Sequence, residues 1–164
     1  MDDSLNKVQR TWTILRSVMD PELPFLNVVE MGMIRGVEIQ NGHVVVKLTP
    51  TYSGCPATDF IQEDVLNAVQ SLDALGQVEV VLSPAWTTDD LEDSAHIKMA
   101  NHGIAPPLSR KGDKGFLPGD ARHVTCPRCQ SSNTEMVSAF GSTACKAHFK
   151  CQSCQEPFDH FKCL

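Results

Sequence analysis

Ile34-Arg35-Gly36-Val37-Glu38-Ile39-Gln40, then Asn41-Gly42, then His43-Val44-Val45-Val46-Lys47-Leu48, reads as a β-hairpin. Asn-Gly supplies the two left-handed positions that a two-residue type I′ turn demands, and β-branched residues line both arms. Outward from this hairpin the chain alternates in type. Upstream, Leu5, Val8, Trp12, Leu15 and Met19 recur every three or four residues, which predicts a helix capped by Ser4 and running to Met19. Asp20-Pro21 ends it, because a residue before proline is pushed out of the helical region. Pro21 to Phe25 is then extended or turned, and Asn27 caps a short turn through Met31 that Gly32 stops. Downstream, the breaker-rich Thr49-Pro50-Thr51-Tyr52-Ser53-Gly54-Cys55-Pro56 leads into a helix over 57–75. Phe60, Ile61, Val65, Ala68, Val69, Leu72 and Leu75 form its apolar side, and Gly76 closes it. Val78 to Leu82 reads as a short buried strand, and a third helix starts at Thr88 or Asp89 and ends near Gly103. The order α-β-β-α-β-α predicts an α+β sandwich, with helices on one face of a three- or four-stranded sheet.

The rest of the chain has a different chemistry. Six of the seven cysteines lie at or beyond Cys126. Residues 1–105 hold 15 acids and 6 bases, whereas residues 106–164 hold 5 acids and 8 bases. Two modules are expected: a domain at 1–107, a polar Gly/Pro-rich linker at 108–121 and a cysteine module at 122–164. No apolar run approaches the roughly 20 residues needed to span a bilayer. Met1-Asp2-Asp3-Ser4 lacks the basic start of a signal peptide, so the expected location is the cytoplasm. A sequence pI of about 5.4 argues against nucleic acid as a partner.

Cys126-Pro127-Arg128-Cys129 and Cys151-Gln152-Ser153-Cys154 are two Cys-x-x-Cys pairs. A two-residue gap lets both thiolates of a pair face one ion, and two such turns complete a tetrahedron. Zinc suits four soft thiolates best; iron or an iron–sulfur cluster uses the same donors and is the alternative. A closed four-cysteine site has no free coordination position. It replaces a hydrophobic core rather than performing chemistry. Cys145 and Cys163 are left over, either as buried thiols or as extra ligands. His148 and His160, near the second pair, could each replace a cysteine.

Cys55 precedes a helix, with Pro56 expected at its first position. A thiol there would face the positive end of the helix dipole, which makes it a candidate functional thiol. The plainer reading is a small apolar residue packed under a turn. Asp20, Glu22 and Glu30 flank the preceding loop and are candidate supporting acids for a hard–soft metal site, or ordinary caps. His43, His96, His102 and His123 are scattered and read as surface residues. No nucleophile triad, phosphate loop or set of di-iron Glu-x-x-His pairs stands out, so no catalytic residue is assigned.

Asp20-Pro21-Glu22-Leu23-Pro24 with Val29-Glu30-Met31-Gly32-Met33-Ile34 resembles the signature of the SufT-like iron–sulfur-assembly domain family. The loop from Thr49 to Cys55-Pro56 matches the segment that carries that family's presumed functional cysteine. Trp86-Thr87-Thr88-Asp89, Gly103-Ile104-Ala105-Pro106-Pro107, Phe140-Gly141-Ser142-Thr143-Ala144-Cys145-Lys146 and Glu156-Pro157-Phe158 extend the resemblance over the whole chain, to the PaaD-like phenylacetate-degradation family. One departure is Asp90-Leu91, where the family often has an aromatic residue. The resemblance implies a non-enzymatic accessory or maturation factor for the multicomponent phenylacetyl-CoA 1,2-epoxidase, assisting iron–sulfur cluster or iron insertion. The partners it implies are that oxygenase or its iron–sulfur reductase component and the iron–sulfur assembly machinery, with no membrane; a homodimer is compatible with an unpaired sheet edge. The alternatives are a structural or regulatory subunit of the oxygenase complex, or a small iron electron carrier.

Overall fold

The computed structural model describes residues 2–52, 54–107 and 124–162. The linker expected at 108–121, His123 and Cys163 lie outside these residues. The chain divides into two compact units, residues 1–86 with 90–92, and residues 87–89 with 93–164.

The first unit begins with α1 (Asp2–Leu15). Its buried line is Thr11 and Leu15, continued by Val18, while Leu5 and Met19 are exposed. Thr11 joins the core because its hydroxyl donates to the Lys7 carbonyl within the helix (2.8 Å). The helix ends at Leu15, short of Met19, because the chain turns at once: Ser17 N–H donates to Ile14 O and Asp20 N–H to Leu26 O. Ser4 lies inside the helix and does not cap it.

Residues 20–33 are held by their own side chains. Asp20 Oδ1 accepts the N–H groups of Glu22 and Leu23 (2.7 and 2.9 Å). Asn27 Oδ1 accepts from Val29 and Glu30 N–H, and Glu30 Oε2 accepts from Asn27 N–H and Nδ2. This is a reciprocal capping box around the turn expected at Asn27. Gly32 ends that turn at φ +66°, and a Cβ there would collide with the Asp90 carbonyl.

The hairpin forms as expected from β1 (Ile34–Gln40) and β2 (His43–Leu48), with Asn41 and Gly42 both at positive φ. The register slips between Ile34 and Gly36, which makes Arg35 a bulge. A bulge re-aims its side chain, and Arg35 forms a two-pronged ion pair with Asp90 (2.9 and 3.1 Å). α2 (Thr58–Gln70) then crosses over to β3 (Gln77–Val80), giving the sheet order β1-β2-β3 with β3 parallel to β2. α2 buries Ile61, Val65 and Val69, whereas Phe60 and Leu75 are exposed. Gly76 does not close the helix. It lies against Val69, whose Cγ1 would be 2.5 Å from an added Cβ. β3 is also not a buried strand: Gln77, Glu79 and Val80 are exposed at the edge of the sheet.

The single helix expected from Thr88 is a 3₁₀ turn (Thr88–Asp90) followed, in the second unit, by α3 (Asp93–Asn101), which Gly103 ends at φ +74°. β4 (Ile104–Ala105), β5 (Thr134–Ser138), β6 (Lys146–Cys151) and β7 (Pro157–Phe161) form a sheet in the order β4-β7-β6-β5. β4 runs parallel to β7, and Ala105 packs with Val124, Ala147, Phe149 and Phe158. Ile104 and Ala105, expected in the first domain, therefore share a sheet with the cysteine module, and Ala105 its core. Among the described residues no helix is long and apolar enough to cross a membrane.

Candidate metal centre and thiol loop

The four cysteines of the two pairs converge. Their sulfurs all lie within 4.8 Å of one another, with Cys126–Cys154 at 3.8 Å and Cys129–Cys151 at 3.5 Å. A zinc ion about 2.3 Å from each of four sulfurs gives a tetrahedron with edges of about 3.8 Å. The donor set and its spacing therefore fit that ion. β6 ends at Cys151, and the two knuckles repeat one design. Cys126 N–H donates to Ser131 O and Cys151 N–H to Glu156 O, each five residues ahead. The residue after each second cysteine, Gln130 and Gln155, is left-handed (φ 61° and 64°). Ser131 and Ser153 join the knuckles through their hydroxyls (2.8 Å). Sequence reasoning missed these four polar residues. For the two glutamines the signal was their equal offset from each cysteine pair.

Electrostatics favour a cation here. Cys154 N–H donates to Cys151 Sγ (3.5 Å), and this bond first of all draws the Cys151 thiol down to about 6. The Cys154 thiol is pushed the other way. Although the Glu156 N–H favours its thiolate, burial and the neighbouring sulfurs raise it to about 12. Four thiolates this close repel one another unless a metal ion lies between them. Cys126 and Cys151 are buried, and Cys129 is exposed.

The other expected ligands lie elsewhere. Cys145 is buried, with Thr143 Oγ1 at 3.0 Å, and is not part of the four-sulfur group. His148 pairs with Asp159 (3.2 Å) and His160 with the Ala105 carbonyl (3.1 Å). Burial lowers the His160 pKa to about 4 despite that carbonyl, so it sits in the core as a neutral ring.

Cys55 is half-buried in the loop that leaves the C-terminal end of β2. Its N–H donates to Tyr52 O and its carbonyl accepts from Thr58 N–H, the first residue of α2. Ala57 is the N-cap residue, so Pro56 stands before the helix instead of opening it. The helix start is thus met by the backbone of Cys55. Thr49 N–H donates to Met33 O and Trp86 Nε1 to Met31 O, which ties the loops around this end of the sheet together. Asp20 and Glu30 are buried and spend carboxylate oxygens on backbone N–H groups, as described above. Among the described residues the four cysteines are the only cluster of three or more His, Cys, Asp or Glu side chains with metal-ligand spacing. His43, read as a surface residue, instead binds the buried Asp73 carboxylate (3.1 Å).

Residues 9–81 match the iron–sulfur cluster assembly protein family, and residues 110–162 match the PaaD zinc beta ribbon domain. The chain is 42% identical to an Escherichia coli protein named as a putative component of 1,2-phenylacetyl-CoA epoxidase, over 96% of this chain and 94% of that one. It is 38% identical to an Fe-S protein maturation auxiliary factor of Porphyromonas gingivalis, over 52% of this chain and 84% of that one. A solved DUF59 domain from Bacillus anthracis superposes with a TM-score of 0.55 at 26% identity, covering 59% of this chain and 94% of that one. With an assembly domain and a cysteine ribbon in one chain, and identity sustained along almost the full length of the Escherichia coli epoxidase component, this protein belongs to the PaaD family.

Proposed function

We propose that this protein is a cytoplasmic accessory factor of a phenylacetyl-CoA 1,2-epoxidase system that assists loading of iron or an iron–sulfur cluster into that enzyme. The observation that carries the reading is the pairing, in one chain, of an iron–sulfur assembly domain with a PaaD-type ribbon. Cys55 is the thiol that touches the cargo. A sulfur ligand suits iron, and the site is half-buried on a loop set by β2, α2 and the turn at Tyr52. Asp20 and Glu30 each cap a turn through one carboxylate oxygen, Oδ1 and Oε2 respectively. The four-cysteine centre holds structural zinc and supplies folding energy to the second unit.

The test is made in cells that express the epoxidase components with wild-type protein or with Cys55→Ala. The reductase component is then purified and its iron and visible spectrum are measured. The variant is expected to lower cluster content; a reductase with its full cluster would refute the role of Cys55. Anaerobically purified protein is expected to be colourless with one zinc per chain. A coloured, iron-loaded four-cysteine site would favour an electron carrier instead.

A further inference from the structure

β3 is where the sheet of the first unit stops. Among the described residues no strand pairs with its outer edge. Val81 N–H donates to Leu48 O on β2, and successive residues of a strand turn their backbone groups to alternate sides. Val78 and Val80 therefore turn their N–H and C=O groups away from β2. Such an edge is a ready template for another strand.

The side chains define what fits. The parallel register sets Val46 beside Val78 and Leu48 beside Val80 on one face, and Lys47 beside Glu79 on the other. On the first face the apolar surface runs past the end of its cover: Val80 is 40% exposed and Leu82, just beyond the strand, 64%. On the second face charge alternates from strand to strand. Glu38 of β1 accepts from Lys47 of β2 (2.6 Å), and Glu79 of β3 follows in register. The next strand would continue this row with a cation.

We propose that β3 receives an extended segment of a partner protein as a fourth strand, with a lysine or arginine facing Glu79 and apolar residues on either side of it covering Val78 and Val80. A second copy of β3 does not meet this requirement, since Gln77–Val80 contains no cation and some registers would set Glu79 against itself. The purpose of the contact rests on the assembly reading. The end of β3 lies beside Leu48, from which the Cys55 loop departs, so the added strand would bring a client alongside that thiol.

The experiment uses isotopically labelled full-length protein and two synthetic hexapeptides, one alternating valine with lysine and one alternating valine with glutamate. The lysine peptide is expected to shift the amide signals of Val78 and Val80 and to bind at least about fivefold more tightly, the weight of one facing charge pair turned from repulsion to attraction. Glu79→Lys should reverse that preference. Val80→Pro should abolish binding with little loss of stability, because proline is tolerated where an edge N–H points to solvent. Equal binding of both peptides, shifts confined to other residues, or an unchanged preference in Glu79→Lys would each overturn the proposal. So would a molecular mass that doubles with concentration and falls back in Val80→Pro, which would give the edge to a second copy. If Val80→Pro does not fold, the Glu79→Lys reversal decides alone. Neither readout involves Cys55 or a cluster, so failure here and failure of the assembly reading are separate results.

Discussion

Asp73 shows how much one side chain can organise. Its two carboxylate oxygens accept from His43, Val44 N–H, Leu75 N–H and Lys7, joining the hairpin turn, the region after α2, and α1. These donors, His43 first and Val44 N–H next, hold its pKa far below the ordinary carboxylate range. A carboxyl with a depressed folded pKa gives stability that is complete above its unfolded value, about 3.9, and is lost as pH falls below it. Acid unfolding of the first unit should therefore steepen below about pH 4, and Asp73→Asn should flatten that slope, as read from denaturant midpoints across pH. Gly32 is a second such position. Gly32→Ala places a Cβ into the Asp90 carbonyl at a positive φ. It should cost at least about 2 kcal/mol in equilibrium unfolding; a loss below about 0.5 kcal/mol would mean the backbone there relaxes freely.

At the scale of elements, caps and knuckles matter more than periodic faces. The Asn27–Glu30 box fixes the turn before β1, and Asn27→Ala should destabilise the first unit by about 1 kcal/mol. Each cysteine knuckle turns on one left-handed glutamine. Gln155→Val should weaken metal retention, because a β-branched residue strains that conformation by about 1 kcal/mol or more, whereas Gln155→Gly should hold the ion at least as well. Competition with a chromogenic chelator measures both. Hydrophobic periodicity is a blunter guide. It locates α1 and α2, yet it credits Leu5 and Phe60 to faces that they do not share, since apolar identity alone does not say which residues the sheet covers. It also gives the valines of β3 to a buried strand, though that strand lies at the edge.

The whole molecule has two cores with different dependences. Both tryptophans, Trp12 and Trp86, belong to the first unit, and Trp86 is buried. The second unit builds its core on Cys126 and Cys151 themselves, together with Phe149 and Phe158. Stripping the metal from the full-length protein should therefore remove β structure from the circular dichroism spectrum and leave tryptophan fluorescence at its native position. A red-shifted emission on chelation would show that the first unit also depends on the metal.

The sequence by itself determined the hairpin, the four-cysteine cluster and the family, because each rests on local chemistry. Asn-Gly selects a turn, and a Cys-x-x-Cys pair presents two sulfurs to one ion within four residues. The capping residues Asp20 and Asn27 were legible for the same reason. Only the tertiary structure decided the rest. It separated Cys145 from the four-sulfur group, showed Asp20 Oδ1 and Glu30 Oε2 accepting backbone N–H groups, and set Ile104 and Ala105 into the sheet of the cysteine module through β4 and β7. Those outcomes depend on pairings between segments far apart in the chain, such as Ala105 with His160, and spacing along a sequence does not encode which distant strand completes a sheet.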